Sequence, residues 1–101
     1  MRVLVMFDLP VETAADRKEY RKFRKYLIKS GYLMLQKSVY CKLVQNSQAA
    51  DALVNNLYRN RPVAGSVQVL RVTEKQFSKM EFIVGTKQTD VIDTDERILF
   101  L

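Results

Sequence analysis

The chain has 101 residues, an apolar fraction of 48% and a formal net charge of +6. This length predicts one domain over residues 1–101, and the composition excludes a disordered chain, which would hold far fewer apolar residues. The single cysteine excludes an internal disulfide bond, and the lack of histidine removes the commonest general base and metal ligand, so any catalysis must depend on carboxylates or metal-bound water.

The first predicted element is a central strand that begins the chain. The apolar run from Val3 to Phe7 is typical of a strand covered on both faces. Pro10 has no N–H for a sheet ladder, so pairing should end near Leu9. Asp8 is then the last charged side chain before a loop. It is either a strand-ending carboxylate that accepts backbone hydrogen bonds, or a metal ligand and general base.

A helix over residues 14–30 follows. Thr13 is a good N-cap with Asp16 three residues later, and Gly31 fits the position just after a helix C-terminus. We expect Tyr26 to lie on the side of this helix opposite its core stripe and to be the better exposed aromatic residue. The predicted core stripe consists of Tyr20, Phe23 and Leu27.

The same helix is strongly basic. Seven of the thirteen residues from Arg17 to Lys29 are lysine or arginine, and residues 1–45 hold ten basic against four acidic residues. Such a concentration indicates a phosphate-binding surface, although a basic helix that only faces solvent would look similar. The candidate nucleic-acid-binding residues are Arg17, Lys18, Arg21, Lys22, Arg24 and Lys25.

The middle of the chain predicts two short strands, a helix and a further strand. Residues 32–44 are rich in β-branched and aromatic side chains, with a bulge or tight turn at Gln36 and Lys37. Cys41 falls on an apolar face with Val39 and Leu43, so we expect it to be buried. The helix spans residues 48–59 and the strand residues 66–73.

The last third of the chain predicts short elements and a terminal strand. Thr73 and Gln76 form a capping box for a helical turn, and residues 80–84 predict a strand stopped by Gly85. Residues 86–96 predict an acidic loop. The final apolar segment must pair with a sheet edge, either its own or a partner's, so we expect dimer contacts from Arg97, Ile98, Leu99, Phe100 and Leu101.

The order of these elements predicts an α+β fold, a ferredoxin-like βαββαβ sandwich with extra C-terminal strands. The helices would cover one face of the sheet. The other face is also apolar, and a second copy of the same sheet is the simplest cover, which predicts a homodimer with its sheets packed face to face. No apolar run approaches the ~20 residues that span a bilayer, and no signal peptide pattern is present, so we expect a cytoplasmic protein without membrane contact.

Five motifs together resemble the CRISPR-associated protein 2 family, in the form found in systems with a single large effector nuclease. The resemblance covers essentially the whole chain, and it depends on the order and spacing of the motifs. They are Met6-Phe-Asp-Leu-Pro10, Tyr20-Arg-Lys-Phe-Arg-Lys25, Gln36-Lys-Ser-Val-Tyr40, Val72-Thr-Glu-Lys-Gln-Phe77 and Glu96-Arg-Ile-Leu-Phe-Leu101.

The resemblance implies a homodimer whose last strand docks on the partner's sheet. It also implies a place between two dimers of the CRISPR integrase, CRISPR-associated protein 1, in the complex that captures double-stranded spacer DNA. Family members have been described as metal-dependent endonucleases, and the place of Asp8 after the first strand carries that role to this chain. Two copies of Asp8 across a two-fold axis could share one Mg²⁺ or Mn²⁺ ion.

Two other functions stay open at this point. One is a stand-alone metal-dependent endoribonuclease, for example a toxin-like enzyme on the same fold. The other is a single-strand RNA-binding module, which the sequence disfavours because no predicted strand carries the aromatic signature that such sheets use.

Overall fold

The elements follow the predicted α+β order. The structure is a computed structural model that describes residues 1–85. Within these residues the order is βαββαβ followed by a short helix, as a ferredoxin-like fold requires. The elements are β1 (Arg2–Asp8), α1 (Ala14–Lys29), β2 (Leu33–Gln36), β3 (Val39–Leu43), α2 (Ser47–Arg59), β4 (Ser66–Val72) and α3 (Glu74–Ser78).

The four strands form one antiparallel sheet in the order β2-β3-β1-β4. β1 is therefore a central strand, as its apolar sequence predicts. Its pairing with β4 ends where Asp8 lies opposite Ser66, and Pro10 follows two residues later. A two-residue turn joins β2 to β3, and their register shifts between Met34 and Gln36, which confirms the irregularity predicted there.

The caps predicted for α1 are present, and α2 also begins with a capping residue. In the capping box of α1, the Asp16 amide donates to Thr13 Oγ1 at 3.0 Å and the Thr13 amide donates to Asp16 Oδ2 at 3.2 Å. Gly31 follows the helix with a φ of 91°, the left-handed region that glycine adopts without strain. At α2, Asn46 Oδ1 accepts from the Ala49 amide at 2.9 Å.

The core lies between the helices and one face of the sheet. Phe7 of β1 is central to it: its ring centroid lies 5.2 Å from that of Phe23 in an edge-to-face arrangement and 5.8 Å from that of Tyr40 in a stacked one. Such aromatic pairs add to the free energy of burial. The buried side chains around this centre include Val3, Val5, Phe23, Leu27, Tyr40, Ala50 and Leu57.

The opposite face of the sheet, which we call the open face, is apolar, and the rest of residues 1–85 leave much of it uncovered. Leu4 pairs with Cys41 and with Leu70, and Cys41 pairs with Leu33, so these four residues form a row across all four strands. The two inner members are buried, whereas Leu33 is 68% and Leu70 52% exposed. Cys41 is buried as predicted, but the residue of β3 that enters the helix-covered core is Tyr40.

One end of the open face carries α3. Arg2 projects from β1 between two residues of this helix: its guanidinium carbon lies 4.1 Å from the centre of the Phe77 ring, and its Nε donates to Glu74 Oε2 at 2.9 Å. The hydrogen bond to Arg2 lowers the pKa of Glu74. A cation–π contact and an ion pair therefore attach α3 to the sheet.

Two predictions about local structure are wrong. Residues 80–84 form no strand in the described part of the chain, because a strand requires a neighbouring backbone and none pairs with this segment there. Tyr26 is only partly exposed and stacks on Phe23 at a ring-centroid distance of 6.2 Å. It lies three residues after Phe23, about 60° from it around the helix, and so flanks the core stripe.

The acidic loop over residues 86–96 and the terminal strand over residues 97–101 lie outside the described residues, so these predictions stand untested. Within residues 1–85, no helix is both long and apolar enough to cross a membrane.

Candidate metal site and nucleic-acid interface

Asp8 ends β1, and its side chain lies on the open face. Val3, Val5 and Phe7 point into the helix-covered core, and side chains alternate along a strand, so Asp8 points the other way. Its carboxylate is exposed to solvent. In residues 1–85 it takes part in none of the hydrogen bonds or ion pairs, so the first of the two sequence-based interpretations, a carboxylate bound to nearby backbone amides, lacks support there.

The backbone around Asp8 is closely constrained on both sides. On the β3 side, the Phe7 amide donates to Ser38 O at 3.0 Å, and Ser38 has a φ of 66°, which is uncommon for a residue other than glycine. On the β4 side, Gly65 has a φ of 93° and approaches so closely that a Cβ atom there would lie 2.7 Å from Asp8 O. These contacts on both sides fix the position of the Asp8 backbone.

A single protomer supplies one carboxylate for a metal ion. Among the described residues, histidine, cysteine, aspartate and glutamate form no group of three or more that could hold a metal. Mg²⁺ commonly binds one or two protein carboxylates and keeps several water ligands. Asp8 fits such a site as one of two contributors, which is the role that a two-fold related pair would give it.

The six predicted nucleic-acid-binding residues are all exposed on α1: Arg17, Lys18, Arg21, Lys22, Arg24 and Lys25. We call them the basic ridge. They project from the helix layer, on the side of the sheet opposite to the Asp8 side chain. The structure therefore gathers the basic residues on one surface but places the candidate metal ligand on the other face of the same sheet.

Arg17 differs from the rest of the basic ridge because its guanidinium already has partners. Nη1 donates to Val11 O and to Glu12 O, each at 3.1 Å. These bonds hold the loop that connects Asp8 to α1. The other five ridge residues make no side-chain hydrogen bond or ion pair within residues 1–85, which leaves their charges available to an external anion.

A groove of about 460 Å³ lies between α2 and the edge strand β4. Its lining consists mainly of apolar side chains and includes two arginines. Of these, Arg71 is paired with Asp51 at 2.7 Å, and Arg61 donates to Tyr58 O at 2.7 Å. Sequence reasoning missed this groove, because its shape depends on how α2 packs beside β4 and not on any local motif. The lining residues are Val54, Leu57, Tyr58, Arg61, Pro62, Gly65, Val67, Val69 and Arg71.

The fold and these surfaces define a ferredoxin-like α+β protein with an exposed carboxylate at the end of its first strand and a basic first helix. The sequence profile of the family described as "CRISPR associated protein Cas2" matches residues 1–80. The chain belongs to this family.

Full-length similarity to individual proteins agrees with the family match. The chain is 54% identical to the CRISPR-associated endoribonuclease Cas2 of Treponema denticola over 101 residues, covering all of both chains. It is 46% identical to the protein of the same name from Streptococcus mutans, covering all of this chain and 93% of the relative. The crystal structure of Streptococcus pyogenes Cas2 superposes with a TM-score of 0.61 at 24% identity, covering 83% of this chain and all of that one, which supports the ferredoxin-like fold.

Proposed function

We propose that this chain is a cytoplasmic subunit of the CRISPR adaptation complex, in which its homodimer bridges two integrase dimers and binds the backbone of duplex DNA before insertion. The basic ridge is the observation that carries this proposal. Five of its six cations have no partner within residues 1–85, and they repeat along one exposed helix surface. Membership of the Cas2 family supports the adaptation role.

The open face supports a homodimer. A stable protomer rarely exposes a row of large aliphatic side chains across a whole sheet, and Leu43 is 59% exposed on this face beside the row described above. Two open faces packed together would bury these side chains and bring the two Asp8 residues towards the interface. The basic ridges, which lie beyond the helix layers, would stay accessible on the outside of the dimer.

The groove beside β4 supports docking of the C-terminal strand. Residues 86–101 hold four acidic and two basic residues and end in an apolar run. Apolar side chains line the groove together with Arg61, which has no acidic partner within residues 1–85. Among residues 1–85, β4 is an edge strand of the sheet, and such an edge has backbone groups that can pair with a further strand. We propose that Arg97, Ile98, Leu99, Phe100 and Leu101 of one protomer add to this edge in the other.

DNA binding by the basic ridge would depend on charge and shape. The arginine fork makes two parallel hydrogen bonds to a phosphate, and neither arginine nor lysine bound to phosphate reads the base sequence. Neutralising about six phosphates would give a log–log dependence of affinity on salt with a slope near −5. We therefore expect tight binding at low salt, a steep loss of affinity as salt rises, and little preference among duplex sequences.

The test replaces Arg21, Lys22 and Lys25 with glutamine and measures duplex DNA affinity across a salt series. We expect the affinity at low salt to fall at least tenfold and the slope to become less negative by about 3. Arg17 is left unchanged because it holds the loop after Asp8. The matched control replaces Arg59, Lys75 and Lys79, which also removes three positive charges. An equal loss in both triple variants would show that net charge alone drives binding, and would remove the ridge from the interface.

A second candidate function is metal-dependent phosphodiester hydrolysis at Asp8. The exposed carboxylate on the open face favours it, and relatives such as the Treponema denticola protein are named endoribonucleases. The Asp8 residues of a dimer would hold one Mg²⁺ or Mn²⁺ ion, which when bound supplies an activated water and a phosphate contact. Asp8 would hold and orient the ion.

The two functions separate in one experiment. Asp8→Asn should abolish cleavage of RNA and DNA if Asp8 forms a metal site, while duplex binding and co-purification with the integrase should stay intact if bridging is the main role. Cleavage that persists in this variant would exclude Asp8 as the catalytic residue. A wild-type protein that neither binds DNA nor purifies with an integrase, but cleaves RNA, would favour the stand-alone endoribonuclease.

A further inference from the structure

Asp8 has a polar neighbour directly across the sheet. The antiparallel register between β1 and β4 places Ser66 opposite Asp8. Opposite residues of an antiparallel pair point to the same face, with Cβ atoms about 4.5–5.5 Å apart. Val67 packs against the core on the other face, so Ser66 points to the open face together with Asp8. Both side chains are exposed.

The close approach of Gly65 fixes this juxtaposition. A Cβ atom at Gly65 would lie 2.7 Å from Asp8 O and 3.0 Å from Leu9 Cα, distances that two non-bonded atoms do not reach without displacement. The chain can therefore enter β4 against the end of β1 only because residue 65 lacks a side chain. The next residue, Ser66, is thereby held at the level of Asp8.

The hydroxyl of Ser66 can donate a hydrogen bond, which the ionised Asp8 carboxylate cannot. An ionised carboxylate only accepts hydrogen bonds, and a serine hydroxyl donates one. Carboxylates that bind metal ions are usually held by a further hydrogen bond, and loss of such a partner commonly weakens metal binding about tenfold or more. Within residues 1–85 the Asp8 carboxylate accepts no hydrogen bond, and Ser66 lies directly opposite it in the β1–β4 pair.

We propose that Ser66 is a positioning residue for Asp8: when a divalent cation binds, the Ser66 hydroxyl donates to the Asp8 carboxylate and holds it in the orientation that binds the ion. This inference rests on the proposed metal site at Asp8. It adds a residue of β4 to a site that sequence reasoning assigned to β1 alone. Because the pair lies on the open face, a homodimer would contribute two copies of it.

The test measures Mn²⁺ affinity directly, by electron paramagnetic resonance of the free ion, in the full-length protein without nucleic acid. Four variants are compared with the wild type: Asp8→Asn, Ser66→Ala, Ser66→Thr and Gln68→Ala. Gln68 is the matched control because it is exposed on the same strand and lies opposite Met6, an apolar residue. Molecular mass and melting temperature are recorded for each variant.

We expect Asp8→Asn to abolish binding and Ser66→Ala to raise the Mn²⁺ dissociation constant about tenfold. Ser66→Thr, which restores a hydroxyl and suits a strand, should return it to within about twofold of the wild type, and Gln68→Ala should leave it unchanged. Melting temperature and dimer mass should not follow this pattern, whereas a merely structural role of Ser66 would change them.

Each other result overturns a distinct claim. Binding that Asp8→Asn abolishes but Ser66→Ala leaves intact would overturn the role of Ser66 and keep the metal site. Equal losses in Ser66→Ala and Gln68→Ala, or no recovery in Ser66→Thr, would show that the hydroxyl is not the cause. Wild-type protein that binds no Mn²⁺, or Asp8→Asn protein that still binds it, would overturn the metal site and the inference with it.

Discussion

The two faces of the sheet differ in how completely they are buried, although β1 contributes apolar side chains to both. On the helix-covered face, Val3 and Val5 are fully buried, and Phe7 is surrounded by three aromatic rings. On the open face, only the middle of the apolar row is buried, and its outer members Leu33 and Leu70 are more than half exposed. The first face stabilises the protomer, and the second is suited to a partner.

The comparison predicts that the largest single effect on folding comes from the helix-covered face. Phe23 is 2% exposed and packs edge-to-face on Phe7. We expect Phe23→Ala to lower the free energy of unfolding by about 3–5 kcal/mol, through lost burial and a residual cavity. Urea denaturation of the wild type and the variant at equal protein concentration measures this difference. A loss below about 1 kcal/mol would mean that this face is not the main source of stability.

The next largest effect on the free energy of unfolding is expected at Gly65, which contacts the backbone at the end of β1. Gly65→Ala combines a left-handed φ with a backbone contact, and we expect it to lower the free energy of unfolding by about 2–3 kcal/mol. Gly85 is the control: its φ is 101°, but a Cβ atom there would have nothing within 4 Å.

Gly85→Ala should therefore destabilise the protein clearly less, by about 1 kcal/mol or below, because only the backbone strain remains. Denaturation curves give the loss of unfolding free energy in each variant, and the difference between the two losses measures the effect of the close contact between Gly65 and Asp8. Equal losses would show that the contact at Gly65 relaxes easily, which would weaken the argument that Ser66 is held opposite Asp8.

The helix-covered face and its two helices could be derived from sequence because their signals are local. Thr13 and Asp16 mark the start of α1, Gly31 marks its end, and the spacing of Phe23 and Leu27 identifies the buried stripe. Tyr26 shows the limit of this reasoning, since it belongs to the margin of the stripe and not to the exposed side.

At the candidate metal site, only Asp8 could be predicted, because only its signal is local in the sequence. Asp8 is recognisable because it interrupts an apolar strand and precedes a proline. Ser66 is 58 residues away in the sequence, and only the strand register brings it opposite Asp8. The segment at residues 80–84 was predicted as a strand from composition, but composition does not supply a pairing partner.

On the open face, we expect a charge in the apolar row to affect association rather than folding. Leu70→Lys should weaken the proposed dimer about tenfold, equal to about 1.4 kcal/mol, because a lysine placed in an apolar interface is desolvated without a partner. Analytical ultracentrifugation across a dilution series measures this change. The control is Gln68→Lys, which places the same charge at another exposed position of β4.

Gln68 points to the same face but pairs with Met6, nearer the Asp8 end of the sheet. A dimer centred on the apolar row should tolerate the lysine at position 68 better than at position 70. If Leu70→Lys leaves the dissociation constant unchanged, the two protomers do not meet through this row.

A smaller effect, a gain in stability, is expected when Tyr32 in the core is replaced by phenylalanine. Its hydroxyl is buried and has no hydrogen-bond partner among residues 1–85, and burial raises the pKa of Tyr32 to about 12. Tyr32→Phe removes an unsatisfied polar group, so we expect a stabilisation of about 1 kcal/mol at neutral pH. Because the raised pKa favours the neutral form, wild-type stability should decrease as pH rises above 10, and the variant should lose this part of the decrease. A variant less stable than the wild type would indicate that the hydroxyl has a partner in solution.

The smallest predicted effect concerns α3, which attaches to the open face through Arg2. The hydrogen bond from Arg2 lowers the pKa of Glu74, so the ion pair stabilises the folded state above the ordinary pKa of a glutamate and is lost as pH falls through the lowered value. The effect is small because Glu74 is exposed and solvent screens its charge. The melting temperature of wild type should therefore decrease slightly more than that of Glu74→Gln between about pH 5 and pH 3.

The control is Glu81→Gln, which removes an exposed glutamate that is not part of the ion pair. This variant should retain the wild-type pH dependence. If Glu74→Gln also retains it, the Phe77 ring alone holds Arg2, and α3 is attached by the cation–π contact without help from the carboxylate.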